Sequence, residues 1–381
     1  MLETPPAPAP PAAGFAQRVG HALEALPEGA DAAQVWRALG AHGVQEELYA
    51  TGAPTGPVPD PGRLAALLTA VDARGDNGVT LSVLVQTASA LPLLATGTAA
   101  PALAAYRQAV AGAASVALAA TDAQAPGSDL TALGTEYTVE GGELVLRGGK
   151  RWVTGACAAD HLLVLARHRP GRHFTNFTWV LVPADAPGVS VRPADSELLT
   201  ASGTGHIDLD AVRLPTDHLV GRPGRAMASF ARHMATERLA GAQWAVALTR
   251  RVLIETRRRL TGRSVDGQPL WHHPAVRQDF ASCLVRVAQL RALLDTLTPR
   301  IAGERDLAAA GLLKAAVGQT VDAVLSRCAQ LQGADGLARR GAAHVRAEAA
   351  VFGLGGGATE LMLAQLADRA DAVLEELAPC R

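Results

Sequence analysis

Glu237 carries the chemistry most easily read from this chain. On a helix it shares an apolar stripe with His233, Met234, Gly241, Trp244 and Leu248, at spacings of three, four, seven and eleven residues. Gly241 leaves open space one turn away. A carboxylate on that face would be desolvated, which raises its pKa toward the range of a general base. The alternative is a helix-edge Glu that turns to solvent or pairs with an arginine. A second candidate runs from Thr121 to Ala156. It holds Thr121, the turn Gly127-Ser128-Asp129, and Lys150-Arg151-Trp152-Val153-Thr154. Small hydroxyls, a glycine turn and one tryptophan would together wall a flat, phosphate-bearing cofactor.

Other chemistry finds no foothold. Gly353-Leu354-Gly355-Gly356-Gly357 follows no strand, and no acidic residue ends a second strand ~20 residues on, so it is not a dinucleotide loop. It reads as a glycine turn between helices, where backbone approaches a ligand closely. His272 and His273 are adjacent, point apart and lack a carboxylate partner. Cys157, Cys283, Cys328 and Cys380 show no CxxC and no zinc spacing, so no metal is expected and the thiols read as free in a reducing compartment. HExxH, GxSxG and Walker motifs are absent.

The elements that must position these residues fall into three blocks. Residues 1–14, rich in proline and alanine, read as an extended tail. Residues 15–118 read as apolar helices with glycine and proline breaks, including Leu81 to Leu94. Over 119–222 the period becomes two. Glu136–Glu140 and Glu143–Leu146 are joined by Gly141-Gly142, and Gly148-Gly149 reads as a second hairpin turn into Arg151–Thr154. Further strands at 162–166, 177–182, 189–192 and 206–214 make a small antiparallel sheet or barrel. Residues 223–381 return to helical period as a bundle. Its stripes are Phe230 to Leu248, Val276 to Leu294, Leu313 to Cys328, and Leu361 to Leu377.

Composition sets outer limits. Of 381 residues 49% are hydrophobic and only 19% charged, enough to bury a large core. A net charge of −1 gives no field for nucleic acid. The start lacks the basic region of a secretory signal, and no uncharged apolar run approaches the ~20 residues of a membrane span. A soluble, cytoplasmic protein is expected. Among 35 Lys and Arg residues only Lys150 and Lys314 are lysines.

In order and spacing these segments resemble the acyl-CoA dehydrogenase family. The resemblance rests on Thr121…Gly127-Ser128-Asp129, Gly148-Gly149-Lys150-Arg151-Trp152-Val153-Thr154, Asp210-Ala211-Val212-Arg213-Leu214-Pro215 and Thr236-Glu237-Arg238-Leu239. It continues through Gly267-Gln268-Pro269-Leu270, Gln330-Leu331-Gln332-Gly333 and Gly356-Gly357-Ala358-Thr359-Glu360-Leu361. It implies an α+β fold of N-terminal helices, a central antiparallel β-domain and a C-terminal helical bundle. It also implies FAD between sheet and C-terminal helices, with its isoalloxazine against Thr121, Trp152 and Thr154 and with Glu360 among the cofactor contacts. Gly127 and Ser128 would lie near diphosphate and thioester, and Arg238 and Gly356 beside the substrate. Arg263, Gln330 and Gly333 match positions that reach the FAD of a neighbouring subunit, implying a homodimer or homotetramer.

The commonest base of the family falls at Gly356, and several branches use instead the position of Glu237. Gly356 keeps the main-chain N–H that binds the thioester carbonyl. The implied reaction is α-proton abstraction by Glu237 with hydride loss from the β-carbon to flavin N5. The substrate would be an acyl thioester of CoA or a carrier protein, and the electron acceptor a flavoprotein or oxygen. Departures from the pattern are Asp266, Ala334, Ala358, Ala347-Glu348, Ala235 and one added residue at Ala125-Pro126. They bear on the subunit-shared half of the site and on the carrier. The alternatives are a flavin-dependent oxidase or monooxygenase on the same fold, and a degenerate non-catalytic subunit.

Overall fold

The computed structural model describes residues 11–49, 58–123, 125, 127 and 129–376, and only the backbone of 11–13. The N-terminal layer holds α1 (Pro11–Glu24), α2 (Ala32–Ala41), α3 (Val44–Leu48), α4 (Pro61–Asp72), α5 (Asn77–Val85), α6 (Leu91–Leu94) and α7 (Ala100–Val110). Helix α1 starts inside the stretch expected to be an extended tail. Proline at the first helical position lacks only an N–H that would be unpaired there, and the alanines after it favour helix.

Between α5 and α6 the backbone widens into a π-turn, Gln86–Ala90, closed by the Leu91 amide donating to the Gln86 carbonyl. Pro92 explains its place. Proline has no N–H for the carbonyl four residues back and its ring crowds that carbonyl, so the ladder slips just before it. Five consecutive residues of this turn, Gln86 to Ala90, are buried.

The central sheet has β1 (Val116–Ala119), β2 (Glu136–Glu140), β3 (Glu143–Val153), β4 (His161–Arg167), β5 (Phe177–Pro183), β6 (Val189–Pro193), β7 (Gly205–Pro215) and β8 (Leu219–Val220). Its order is β6-β7-β3-β2-β4-β5-β8, with β1 against β4. The sheet is mixed and open, which corrects the antiparallel sheet or barrel. β1 runs parallel to β4, and β2 touches β4 at one parallel pair, Glu136 with Arg167. Two half-sheets therefore meet at a narrow seam and pack face to face over Leu144, Ile207, Leu209, Val164 and Val180. The other face of β4 and β5 (Leu163, Leu165, Phe177, Trp179) joins the helical core.

Gly148-Gly149 is not a turn. It is a bulge in one continuous β3, where the register against β7 shifts between Leu146 and Gly148. Gly148 sits at φ +138°, and a methyl group there would meet Thr135 Cα at 2.6 Å.

The C-terminal layer holds α8 (Ala226–Gly262), the hairpin β9 (Ser264–Val265) and β10 (Gln268–Pro269), α9 (Pro274–Pro299), α10 (Leu307–Gln332), α11 (Ala342–Glu348), α12 (Val351–Leu354), α13 (Thr359–Ala367) and α14 (Ala370–Glu376). The stripe Leu313, Val317, Val321, Val324 and Cys328 is buried. The stripe from Leu361 is not: the helix breaks at 368–369, Leu361 is exposed, and Leu377 lies outside the described residues.

One polar chain crosses all three layers. Asp72 accepts from Trp244 Nε1 at 3.0 Å and Arg251 Nε at 2.8 Å, and Arg251 reaches Asn77 at 2.8 Å. Asn77 donates to Glu348 at 2.7 Å, and Glu348 also accepts from the Leu199 amide at 3.1 Å. Among the described residues two helical runs have the length and hydropathy to cross a membrane, Asn77–Leu94 and Leu307–Leu337, although no such run was expected. Of these windows 89% and 50% are buried inside the fold.

Candidate active site

Glu237 stands in the fourth turn of α8, on the side that meets the π-turn and α10. Ser89 Oγ donates to Glu237 Oε2. Lys314, on α10 and 5% exposed, donates from Nζ to the Phe352 carbonyl. Arg238 Nε donates to the Gly356 carbonyl at 2.9 Å. Gly356 lies at φ +70°, and a methyl group built on it would sit 3.6 Å from Glu237 Oε1 and 3.6 Å from Lys314 Cε. The glycine turn and the helix carboxylate thus face the same small volume. Gly311, also on α10, leaves room for the Arg238 guanidinium, 3.9 Å from where its side chain would start.

Burial pushes the Glu237 carboxyl up, against the Ser89 hydrogen bond and the Arg238 and Lys314 charges. Burial also pulls the Lys314 ammonium down to about 8, helped by Arg238 and opposed by Glu237 and Glu360. Glu360, in the first turn of α13, is exposed at the margin of this cluster. A part-buried, desolvated carboxylate between two cations, with one oxygen bonded to Ser89 and the other beside Gly356, has the attributes of a general base.

The second group forms around Trp152. The Thr121 carbonyl accepts from the Arg151 amide at 3.1 Å, which brings the residues after β1 alongside the end of β3. A methyl group at Gly127 would lie 3.4 Å from Thr121 Cγ2. Trp152 is 60% exposed at φ +55°. Its amide donates to His206 Nδ1 at 3.2 Å, and its ring meets His206 edge-on at 5.3 Å. A large aromatic held at positive φ with its ring left uncovered is costly without a partner. Thr154 follows, part-buried, and Ser128 lies outside the described residues. Beneath the wall, Lys150 pairs with Asp122 at 3.4 Å and donates to the Ala120 carbonyl at 3.2 Å.

One helical run joins the two groups. Ser82 Oγ lies 4.0 Å from where a side chain on Gly155 would begin, Gln86 Oε1 accepts from the Val116 amide at 3.0 Å, and Ser89 reaches Glu237. Residues 82, 86 and 89 therefore touch the Trp152–Gly155 turn, β1 and the carboxylate in succession. Sequence reasoning found neither Ser89, Ser82 nor His206. The sparing use of lysine was the one available signal for Lys314.

The third group stands apart. Arg263 Nη1 donates to the Gln332 carbonyl at 3.0 Å and lies 3.3 Å from the side-chain position of Gly333. Gln330 accepts from Arg327 at 2.8 Å. Arg263 ends α8, 26 residues beyond Glu237, which is ~39 Å along the helix. One bound cofactor cannot reach both ends. Asp266, one of the departures from the family pattern, forms with Gly267 the tip of the β9–β10 hairpin, both at positive φ (+52° and +76°), a turn for which Asp-Gly is suited.

The arrangement fits a flavin. The Trp152 indole is 60% exposed and so offers a flat apolar face, and the main chain of Thr121, with Gly127 against it, is bonded to the neighbouring Arg151.

The fold and this site define a protein of helix–sheet–helix build, with a part-buried carboxylate on α8 and an exposed tryptophan at the end of β3, linked by one helical run. The family model for the acyl-CoA dehydrogenase middle domain matches residues 117–212, and that for the C-terminal domain matches 225–370. The chain belongs to the acyl-CoA dehydrogenase family, a family of FAD-dependent oxidoreductases. Among its relatives is the acyl-[acyl-carrier-protein] dehydrogenase MbtN of a Mycobacterium species, 32% identical over 199 residues; that match takes in 49% of this chain and 48% of that protein. MbtN of Mycobacterium bovis is 29% identical over 305 residues, 78% of this chain and 76% of that protein. The crystal structure of a probable acyl-CoA dehydrogenase from Mycobacterium abscessus shares the fold at a TM-score of 0.85 and 23% identity, over 95% of this chain and 99% of that one.

Proposed function

We propose that this chain catalyses α,β-dehydrogenation of an acyl thioester with Glu237 as the α-proton base. One observation carries the reading: Glu237 Oε1 lies 3.6 Å from the point where a side chain on Gly356 would begin. A carboxylate carried at residue 356 would project into the same volume, so Glu237 fills the place of the base that Gly356 cannot provide. FAD bound against Thr121, Trp152 and Thr154 supplies the hydride acceptor. Glu237 takes the proton, and the Gly356 N–H faces the thioester carbonyl as its charge grows. Arg238, fixed on the Gly356 carbonyl, holds that turn in place. The names of the MbtN relatives support a carrier-protein thioester as substrate.

Self-association accompanies this reading. The distance between Glu237 and Arg263 supports a homodimer or homotetramer in which Arg263, Gln330 and Gly333 meet the cofactor of a neighbouring copy. An apolar groove of about 540 Å³ between α8 and α9, lined by Leu253, Ile254, Phe280 and Leu284, adds support.

Anaerobic mixing with a saturated acyl-CoA, and with the same acyl group on a phosphopantetheinyl carrier protein, tests the reaction. Bleaching of the yellow protein by either is expected. Glu237→Gln is expected to keep the colour and slow bleaching by at least a hundredfold. Unchanged reduction in that variant removes Glu237 from the role, and rapid peroxide formation moves the reading to an oxidase. A colourless protein that added FAD does not restore ends both.

A further inference from the structure

Ser89 has no role in the reading above. It is 1% exposed, lies in the π-turn that Pro92 imposes, and spends its hydroxyl on Glu237 Oε2. We propose that Ser89 is a positioning residue that locks the Glu237 carboxylate by Oε2 and leaves Oε1, beside Gly356, as the atom that takes the proton. The proposal rests on the reading of Glu237 as the base.

The geometry is selective between the two oxygens. A carboxylate left free can rotate and offer either one, but an O–H bond to Oε2 fixes the plane and aims Oε1 at the open volume. The π-turn makes the contact possible. It displaces residues 86–90 from the path of a regular helix, and Ser89 comes from that stretch. From the π-turn side no charged group faces Glu237, because residues 86–90 are Gln, Thr, Ala, Ser and Ala. The charges around it are Arg238 on its own helix and Lys314 on α10, with Glu360 acting on Lys314. The Ser89 hydrogen bond lowers the Glu237 pKa, opposing burial. Its loss raises that pKa, so the ionised base persists only at higher pH.

Ser89→Ala is nearly isosteric, and Ser89→Thr retains the hydroxyl. Two readouts on the FAD-loaded protein decide. The first is the acid limb of kcat/KM against pH with the acyl thioester. The second, independent of turnover, is the titration of the Glu237 carboxyl by 13C NMR in substrate-free protein, assigned by its absence in Glu237→Gln. Ser89→Ala is expected to move both midpoints up by about one pH unit and to lower kcat roughly tenfold at pH values below the new midpoint. Part of that loss returns at higher pH, and Ser89→Thr restores both midpoints. If Glu237→Gln abolishes the reaction while Ser89→Ala moves neither midpoint, the Ser89 assignment alone is overturned. If Glu237→Gln retains the reaction, the base reading fails and this assignment with it.

Discussion

At the scale of single residues, the site is governed by what Gly356 omits. Its φ of +70° is a conformation in which a β-carbon costs about 1–2 kcal/mol. The nearest atoms, Glu237 Oε1 and Lys314 Cε, stand at ordinary contact distance. Gly356→Ala should therefore fold with a loss of about 1–2 kcal/mol, read as a lower urea midpoint, because strain rather than collision is the cost. Its larger effect should be on turnover. The methyl fills the space in front of Oε1, and kcat/KM should drop by more than the stability change explains. The place of Glu237 on the inner side of α8 was legible in the sequence because period-3.6 spacing survives in a regular helix. Ser89 was not, because the π-turn breaks that period and its residues are buried on every side, leaving no polar face to read.

At the scale of elements, β3 shows how a local glycine pair places a distant wall. Gly148 lets the strand bulge over Thr135, and the shift decides which residues beyond it face inward. Lys150 ends up fully buried on Asp122, and a second register shift between Lys150 and Val153, with Trp152 at φ +55°, turns Trp152 out to the surface. Gly148→Ala forces a methyl to 2.6 Å from Thr135 Cα at φ +138°. A loss of about 3 kcal/mol or more is expected, seen as a lower melting temperature, together with weaker retention of FAD on gel filtration. The glycine pair was visible in the sequence but reads equally as a hairpin turn. Pairing with β7, a partner more than fifty residues away, decides between the two. β1 was hidden for a related reason. Val116-Ala117-Leu118-Ala119 is apolar throughout, as a strand covered on both faces must be, and a short apolar run carries no period. The parallel seam between β2 and β4 left no local mark at all.

At the scale of the whole molecule, burial of both lysines ties stability to alkaline pH. Burial pulls Lys150 and Lys314 each down to about 8, with Asp122 resisting for the first and Glu237 and Glu360 for the second. In the unfolded chain both titrate near 10.4. Between these values the unfolded state binds more protons, so folding stability rises as pH increases from about 8. Above about pH 10 the buried Tyr49 and the part-buried Tyr106 act the other way, since desolvation raises Tyr49 and pushes Tyr106 up to about 12. Urea unfolding at pH 8, 9 and 10 should show a rising free energy, and Lys150→Met should flatten that slope by about half.

The same two side chains give the folded molecule an unusual relation to proteases. An enzyme that cuts only after lysine has two bonds to choose from in 381 residues, 150–151 and 314–315. The first lies inside β3, hydrogen-bonded on both edges, and the second inside α10. Neither lysine reaches a protease pocket while the sheet and the bundle stand. Cleavage at the first marks opening of the sheet and cleavage at the second marks opening of the bundle. The order in which the fragments appear is therefore a record of which half of the molecule gives way first.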